Sequence, residues 1–497
     1  MKVYIRTDTP QFLPDLSDVV RLFFGEGSAL YSPEGSDATL SHAHAEVDGV
    51  WRERCVFTQG GRSLEQEGQA QAVRGGLAEK RYFKRAVKLC CYELLKRATG
   101  VKPPWGSLTG IRPTRLFYAQ LQQGDTMDEA ERAMRETFDL SAGKAALLRE
   151  IVTSQRGLIE RAPNEADVYV GIPFCTTRCA YCSFSSGEIG DGHLVEPYLA
   201  ALEREIDAAR ALMDEAGLRM RALYVGGGTP TSLDARQLAR LLCRLQRAFP
   251  GATEWTVEAG RPDTLDEEKL RVLRDFPVGR ISINPQTMND ATLQRIGRAH
   301  TAQDILSAYA LARRIGFDHI NMDLIAALPG ETPADFERTL AKIRSLAPES
   351  LTVHTLAVKR SSRLHEQSYR PTEADTVQEM VERGLEAAHD MGMRAYYLYR
   401  QKYMAGNLEN VGYALPGHAC TYNIDMMEET TSILALGAGG ISKRVQDDAE
   451  KRIRRAPNVQ NIEQYTARVN EMIERKRALF LKDAEPDAPR QEEAPKL

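Results

Sequence analysis

From residue 167 to about residue 400, short apolar runs alternate with longer amphipathic stretches. The short runs have the length and composition of buried strands, and the longer stretches repeat apolar residues at helical spacing. In the stretch 238–249, for example, leucines recur along one face that is expected to pack on a sheet. The predicted strands are 167–174, 222–228, 254–260, 280–286, 319–328 and 350–357.

These six consecutive strand–helix units predict an α/β fold. Their regular spacing, with no signal of a reversal in strand order, favours a partial (β/α)6 barrel over a doubly wound sheet. In both architectures the strands are parallel, and ligands collect where the carboxyl ends of the strands meet the following loops. Side chains that follow the predicted strands are therefore the first candidates for chemistry.

The flanking segments have other patterns. Residues 1–160 mix strand-like and helical runs, which predicts an N-terminal α+β domain of unknown role, joined through the polar stretch 159–167 to a barrel at 165–395. Residues 396–480 are predicted to form a C-terminal extension that covers the substrate. The segment 483–497 is charged, contains proline and lacks aromatic residues, which predicts a disordered tail.

Composition adds little to this picture. The 497 residues are 42% hydrophobic and 27% charged, ordinary values for a globular enzyme. A net charge of -4 and a pI near 6.2 provide no overall reason to expect nucleic acid or a membrane surface as a partner. No window reaches the roughly 18 apolar residues of a membrane span, and Arg6 and Asp8 interrupt the start. A cytoplasmic protein is expected.

Three of the eight cysteines stand together directly after the first predicted strand: Cys175, Cys179 and Cys182, spaced C-x3-C-x2-C. The other five are scattered, so a disulfide framework is not expected. Thiolates select iron–sulfur clusters, zinc or copper, and a closed site needs a fourth ligand. Three thiolates can hold a [4Fe-4S] cluster with one iron open. The alternative is a zinc knuckle completed by a distant Cys or His.

Polar and glycine residues follow the next two strands. The second strand ends in "YVGGGTPT", where Gly227 and Gly228 allow the backbone to approach a ligand and Thr229 offers a hydroxyl, although a bare strand-to-helix turn explains such a run as well. The third strand ends at Glu258, which is either a ligand-binding carboxylate or a capping or salt-bridge residue.

Three more candidates come from the fourth and fifth units. Gln286 ends the fourth strand, and Arg298 follows it by twelve residues in "RIGRAH". Arg298 can bind a carboxylate through two hydrogen bonds, and its alternative is a solvated helix residue. Asp323 lies within the apolar run "NMDLIAALPGE", where a carboxylate without a partner would be costly.

Together these residues resemble a known family. The cysteine spacing, with Tyr181 before the last cysteine, resembles the radical S-adenosylmethionine (SAM) superfamily, which also uses a partial (β/α)6 barrel. The longer strings "YVGIPFC", "GGGTPT", "GRAH", "NMDLIAALPGE" and "ILALGAGGISK" resemble the oxygen-independent coproporphyrinogen III oxidase family, also called coproporphyrinogen dehydrogenase, over about 167–445. The string "GSLTGIRPTRL" resembles its HemZ-type branch.

The resemblance implies two cofactors, a [4Fe-4S] cluster on the three cysteines and SAM on its open iron. It implies that Tyr169, Gly227 and Glu258 surround this SAM. Further positions match a second SAM or substrate site: Tyr181, Gly228, Thr229, Gln286, Arg298, Asp323 and Ala357.

The implied reaction belongs to porphyrin and heme biosynthesis. A 5'-deoxyadenosyl radical abstracts hydrogen from a propionate of coproporphyrinogen III, and loss of CO2 and one electron leads towards protoporphyrinogen IX. The implied partners are this tetrapyrrole, an electron donor and an electron acceptor. A tetracarboxylate calls for cations, and Arg360 and Arg363, with Lys359, Arg400 and Lys402, are candidates whose alternative is an exposed basic loop.

Two departures keep other functions open. Gly171 stands where this family usually has His, and Phe184 stands where the oxidases have a fourth cysteine. The pattern C-x-F also occurs in relatives that act as heme chaperones, so a heme-binding chaperone is one alternative. The lack of a tryptophan after Trp255 favours the oxidase over that branch. A radical SAM enzyme on another substrate is the third reading.

Overall fold

The computed structural model divides into two compact units, each built from separate stretches of chain. The first contains Met1–Arg156, Ile325–Arg344 and Leu351–Ala419, and the second contains Gly157–Leu324, Ser345–Ser350 and the chain from Cys420 onward. The structure describes residues 1–110, 112–160, 162, 164–184, 186–367, 369, 372–401, 404–446 and 452–481. The predicted disordered tail, 483–497, lies outside the described residues.

Strands occur in two groups along the chain, one within residues 3–71 and one within residues 165–457. The second group contains the predicted strand–helix region. In chain order they are β1 (Val3–Thr7), β2 (Ala29–Leu30), β3 (Ala38–Val47), β4 (Val50–Gln59), β5 (Arg62–Gln71), β6 (Glu165–Ile172), β7 (Phe174–Cys175), β8 (Gly187–Glu188), β9 (Arg219–Gly227), β10 (Glu254–Glu258), β11 (Arg280–Ser282), β12 (Ile320–Ala326), β13 (Ser350–Thr355), β14 (Arg394–Tyr399), β15 (Asn410–Ala414), β16 (Ser432–Leu436), β17 (Ile441–Val445) and β18 (Ile453–Pro457).

Helices fill most of the remaining chain. They are α1 (Leu13–Phe24), α2 (Gly76–Thr99), α3 (Thr114–Gln122), α4 (Met127–Phe138), α5 (Ala142–Ser154), α6 (Val195–Glu215), α7 (Ala235–Ala248), α8 (Glu267–Asp275), α9 (Asp290–Arg295), α10 (Ala302–Ile315), α11 (Pro333–Leu346), α12 (Arg363–Glu366), α13 (Ala374–Asp390), α14 (Thr421–Glu428) and α15 (Ile462–Leu481). Within the described residues, no helix combines the length and the apolar character that crossing a bilayer requires.

An N-terminal sheet organises the first unit, with strand order β2-β1-β3-β4-β5. Asp48 and Gly49 connect β3 to β4 with positive φ at both positions, the backbone that a two-residue hairpin turn requires. Helices α1 and α2 contribute Leu16, Val20 and Tyr92 to a core that also contains Cys55 and Phe57 of β4. This mixture of sheet and helix has the α+β character expected for the N-terminal segment.

The same unit joins N-terminal residues to residues after β14. Trp105 donates its Nε1–H to Glu409 at 2.6 Å, and Lys144 pairs with the same buried carboxylate. Arg400 lies over the Trp105 ring at 5.2 Å and donates to the carbonyl of Leu108 at 2.6 Å. The loop that carries "WGSL" is therefore fastened to the C-terminal part of the first unit.

A mainly parallel sheet organises the second unit, with strand order β12-β11-β10-β9-β6-β16-β17-β18. From β6 to β12 the spatial order follows the chain order, as the regular spacing predicted, and β16 pairs in parallel with the other side of β6. Strands β17 and β18 continue antiparallel from there. Since β6, β9 and β10 run in parallel, their carboxyl ends meet at one edge, where the predicted site residues lie.

Candidate cluster and cofactor site

The three clustered cysteines lie in one loop whose two ends are held together. Strand β7, which contains Cys175, pairs in parallel with β8 after the loop. The N–H of Gly187 donates to the carbonyl of Pro173 at 2.8 Å, and that of Ile189 to the carbonyl of Cys175 at 2.8 Å. Inside the loop the N–H of Cys182 donates to the carbonyl of Cys179 at 3.1 Å. The backbone thus forms a closed support for the thiols.

The thiols of Cys175 and Cys179 are close enough to Cys182 to affect its ionisation, and Cys175 has a hydrogen-bond donor. Burial is the main cause that raises the pKa of Cys182, and the neighbouring Cys179 and Cys175 raise it further. The hydroxyl of Thr229 donates to the Cys175 Sγ at 3.5 Å. Among the described residues, no three His, Cys, Asp or Glu side chains converge as ligands of one metal ion. A cluster binds each thiolate through a different iron, so it does not require such convergence.

The glycine turn after β9 is fastened to the strand that leads into the cysteine loop. Gly228 donates its N–H to the carbonyl of Ile172 at 2.8 Å, and Thr229 donates to the carbonyl of Phe174 at 2.7 Å. A Cβ on Gly228 would lie 2.6 Å from the oxygen of Phe174, and Gly227 has a φ of +108°. Only glycine fits this close approach of two backbones, so the run is more than a bare strand-to-helix turn.

A cavity of about 170 Å³ opens between these elements. Residues from the end of β6, from the chain after Cys182, from the glycine turn and from the loop after β16 surround it. They are Tyr169, Gly171, Ile172, Pro173, Ser183, Phe184, Ser186, Gly227, Gly228, Ala438 and Gly439. This space adjoins the cysteine loop on one side and the glycine turn on the other, which is where a ligand shared by both would lie.

A buried polar network supports the loop after β16. Glu205 of α6 accepts from the N–H of Gly437 at 2.7 Å and from the Nζ of Lys476 on α15 at 2.6 Å. Tyr198, also on α6, donates its hydroxyl to the carbonyl of Gly171 and accepts from the N–H of Ala438. Two helices therefore hold two walls of the cavity in place.

Glu258 lies at the end of β10 beside three tyrosine rings. The hydroxyl of Tyr224 donates to its Oε1 at 2.7 Å. Tyr224 stacks on Tyr422 of α14 with 4.6 Å between ring centroids, and Tyr169 lies within 6.3 Å of both rings. Part of Glu258 is exposed, yet protein surrounds it closely, and desolvation raises its pKa to about 7, opposed by the Tyr224 hydrogen bond. The carboxyl is thus close to half-ionised near neutral pH.

Sequence reasoning missed Tyr224 and Tyr422. Tyr224 precedes Gly226 by two positions on β9, so strand alternation places it on the same face as the turn, a signal that was present in the sequence. Tyr422 comes from a distant part of the chain and had no such signal.

Arg298 is buried, so it is not a solvated helix residue. Its Nη1 donates to the carbonyl of Asn284 at 2.8 Å, and its Nη2 donates to the hydroxyl of Tyr181 at 3.3 Å. Gln286 is also buried, has a φ of +64°, and donates its N–H to the carbonyl of Asp323 at 2.9 Å. Nearby, the Asp323 Oδ1 accepts from Asn321 at 2.8 Å. These contacts join the predicted residues in two pairs, Arg298 with Tyr181 and Gln286 with Asp323.

Polar atoms in this group lack protein partners. Within the described residues, neither the Oε1 of Gln286 nor the Nε of Arg298 has a hydrogen bond, and both are buried. A buried polar atom without a partner costs about 1–3 kcal/mol. The glycine cradle, the cavity and these unsatisfied atoms all fit a bound polar ligand of the kind that SAM is.

The remaining predicted residues belong to the first unit. Ala357 follows β13 and forms an isolated bridge with Met404, while Arg360 and Arg363 are exposed. The interpretation of Arg400 as part of an exposed basic loop is wrong, because its side chain is buried. Arg400 donates to the carbonyls of Leu108 and Asn407, and burial lowers its pKa to about 10. Lys402 lies outside the described residues.

Comparisons with known proteins bear on these observations. The profile of the Radical SAM superfamily matches residues 169–343. The chain is 38% identical over 452 residues, 88% of this chain and 89% of the relative, to the oxygen-independent coproporphyrinogen-III oxidase-like protein HemZ of Bacillus subtilis. It is also 38% identical over 194 residues to the heme chaperone HemW of the same organism, a match that spans 38% of this chain and half of that relative.

A solved structure supports the fold. Coproporphyrinogen III oxidase HemN from Escherichia coli matches with a TM-score of 0.51 at 24% identity, covering 64% of this chain and 72% of that one. The predicted α/β fold class is thereby confirmed, although no closed barrel is found among the described residues. The predicted cofactors, a [4Fe-4S] cluster and SAM, are those of the superfamily. The chain belongs to the oxygen-independent coproporphyrinogen III oxidase-like family of the radical SAM superfamily.

Proposed function

We propose that this protein is an oxygen-independent coproporphyrinogen III oxidase. It would convert two propionates of coproporphyrinogen III to the vinyl groups of protoporphyrinogen IX, and each propionate would lose a hydrogen atom to the deoxyadenosyl radical, CO2, and one electron to an acceptor. The similarity to HemZ over 88% of the chain is the observation that carries this proposal. When bound, the cluster and SAM supply a 5'-deoxyadenosyl radical that removes hydrogen from a propionate. The remaining requirements fall on the protein: to hold both cofactors, to orient the propionate and to exclude water.

In this proposal Cys175, Cys179 and Cys182 are the cluster ligands. The short β7–β8 pair supports them by closing the ends of their loop. The Thr229 hydroxyl, which donates to the sulfur of Cys175, would stabilise that sulfur as a thiolate. Such outer hydrogen bonds orient ligands and tune a metal centre.

Two groups of residues are proposed to hold SAM. Gly227 brings the backbone to the cavity wall, where Tyr169 also lies, and Glu258 offers a carboxylate to the ribose hydroxyls of the SAM on the cluster. Gln286 and Arg298 offer the unsatisfied Oε1 and Nε to a second SAM or to the substrate, and Tyr181, Gly228, Thr229 and Asp323 of the same unit complete that proposed set. The match of Ala357, in the first unit, stays a prediction.

A heme-binding chaperone is a second candidate. The pattern C-x-F after the cysteines favours it, and Phe184 of that pattern lines the cavity and is 70% exposed. The similarity to HemW, which covers half of that relative, also supports this candidate. A chaperone would retain heme without oxidising propionates.

One experiment distinguishes these candidates. The cluster is reconstituted anaerobically, a reductant, SAM and coproporphyrinogen III are added, and 5'-deoxyadenosine and vinyl products are followed by mass spectrometry. The oxidase is expected to form both products together. Deoxyadenosine without vinyl product would indicate another substrate, and stable heme binding without turnover would indicate the chaperone.

A further inference from the structure

Arg261, just after β10, contacts the cysteine loop directly. Its guanidinium is 4% exposed and donates from Nη1 to the carbonyl of Thr177 at 2.8 Å, and from Nη2 to the hydroxyl of Thr177 at 2.9 Å. The same Nη1 lies 4.0 Å from the Sγ of Cys179. The guanidinium of Arg261 therefore lies beside the proposed ligand Cys179. It also binds Thr177, which lies between Cys175 and Cys179.

Asp263 holds this arginine and a second loop residue. Its carboxylate accepts from Arg261 at 3.1 and 3.2 Å and from the hydroxyl of Thr176 at 2.7 Å. The Nδ1 of His300 donates to it at 3.2 Å. Burial alone would raise the pKa of this carboxyl, but hydrogen bonds from His300, Thr176 and Arg261 hold it well below its usual range. We call Arg261, Asp263 and His300 the loop clamp.

The clamp acts on the stretch that sets the distance between two thiols. Thr176 and Thr177 lie between Cys175 and Cys179, and both of their side chains are bound by the clamp. Fixing the backbone of a residue costs conformational entropy, which cluster binding would otherwise have to supply. Because the clamp is made of protein groups alone, this ordering is already present before any cluster binds.

The charge has a separate consequence. Reduction adds an electron to a cluster, and a nearby cation stabilises the reduced form relative to the oxidised form.

We propose that Arg261, oriented by Asp263, is a positioning residue for the cluster, which preorganises the loop between Cys175 and Cys179 and raises the cluster's reduction potential through its charge. This inference rests on the proposal that the three cysteines bind the cluster. Arg261→Gln removes the charge and the paired donors, whereas Arg261→Lys keeps the charge and loses the forked geometry. Arg271→Gln, an exposed arginine on α8, is the matched control.

The first measurement is the alkylation rate of each cysteine in cluster-free protein, followed by peptide mass spectrometry. Arg261→Gln, Arg261→Lys and Asp263→Asn are expected to accelerate labelling of Cys175 and Cys179 about tenfold, since charge-assisted hydrogen bonds to the loop are lost. Arg271→Gln is expected to match the unaltered protein. Thr176→Val, which removes only the hydroxyl bonded to Asp263, is expected to show an intermediate rate.

The second measurement is the cluster's potential, from a mediated titration followed by electron paramagnetic resonance. Arg261→Gln is expected to lower it by the equivalent of a tenfold change in equilibrium, about 59 mV for one electron. Arg261→Lys and Thr176→Val are expected to stay near the unaltered value. A purely structural role would not produce this difference between the glutamine and lysine variants.

The outcomes separate this inference from the proposed function. If the unaltered protein binds a cluster, and the Arg261 variants match it in both measurements, the inference is wrong and the oxidase proposal stands. If Cys179→Ala binds as much iron and sulfide as the unaltered protein, the proposed ligand set is wrong. If Arg261→Gln does not fold by circular dichroism, the lysine and Thr176 variants decide: unchanged alkylation in both would overturn the inference.

Discussion

At the scale of single residues, the ionisation of Glu258 depends on the groups that surround it. Desolvation raises its pKa from 4.5 to about 7, while the hydroxyl of Tyr224 stabilises the ionised form. The folded protein therefore binds this proton more tightly than the unfolded chain does. The stability that this carboxyl contributes is fully present below about pH 4.5 and is lost as the pH rises through about 7.

Glu258→Gln tests the proposed contact with SAM. If the carboxylate accepts the ribose hydroxyls, SAM affinity rises with pH as the group ionises, and it is expected to be about tenfold weaker at pH 6 than at pH 8. The glutamine variant is expected to bind weakly at both values. Calorimetry with anaerobically reconstituted protein measures this, with the exposed Glu267→Gln as control. Equal affinities of variant and unaltered protein at pH 8 would exclude the contact.

Tyr224→Phe tests the hydrogen bond alone. The ring can still stack on Tyr422, but the hydroxyl that stabilises the ionised Glu258 is lost, so the pKa of that carboxyl rises further. The pH at which SAM affinity reaches half its limit is expected to move upward in the same calorimetric series. Tyr422→Phe is the control, because it retains the stack and the Tyr224 hydroxyl. An unshifted midpoint in Tyr224→Phe would show that the hydroxyl has no such role.

At the scale of elements, the pairing of β6 with β9 brings two loops together. Their parallel register sets Gly171 opposite Gly226 and Ile172 opposite Gly227. The cysteine loop follows one strand and the glycine turn follows the other, so the register of a single strand pair decides how the cluster loop meets the proposed SAM site. A shift by one residue would turn every side chain of β9 to the opposite face.

Gly228→Ala tests this contact between elements. The added Cβ would lie 2.6 Å from the carbonyl oxygen of Phe174, a backbone atom that cannot move without moving the cysteine loop. The strain is expected to cost about 1–3 kcal/mol and to weaken both cluster retention and SAM binding. Iron content and calorimetry measure these effects. Gly279→Ala adds a methyl group in open space and is expected to change neither.

Several elements matched their sequence patterns, and the exceptions have local causes. Strands β9, β10 and β12 lie within the predicted runs 222–228, 254–260 and 319–328 or overlap them closely. The strand predicted at 280–286 is shorter in the structure and ends at Ser282. Gln286 adopts a positive φ, which no regular strand allows. Apolar periodicity reports which residues are buried, but it does not report where a backbone leaves the extended conformation.

At the scale of the whole molecule, the predicted residues divide between the two units. The proposed cluster and SAM residues up to Asp323 belong to the second unit, whereas Ala357, Arg360 and Arg363 belong to the first. The predicted domain boundaries followed changes of composition along the chain. The compact units instead combine distant stretches, because contacts such as Trp105 with Glu409 join residues 304 positions apart.

Arg360→Ala tests the prediction that Arg360 pairs with a propionate. Loss of a cation that pairs with a propionate is expected to raise KM for coproporphyrinogen III about tenfold, while SAM is still cleaved to 5'-deoxyadenosine. Rates of vinyl and deoxyadenosine formation measure this split. Arg338→Ala, which removes another exposed arginine of the same unit, is the control. Equal loss of both products in Arg360→Ala would contradict the role.

The sequence by itself determined the order of the strand–helix units between residues 167 and 357, the place of the cysteine loop and glycine turn after β6 and β9, and the family. Those features depend on periodicity and on short motifs, which are local. Only the tertiary structure decided that Arg298 and Arg400 are buried, that Tyr422 stacks beside Glu258, and that Arg261 and Asp263 hold the cysteine loop. Burial, pKa and hydrogen bonding depend on neighbours distant along the chain, and no local pattern specifies them.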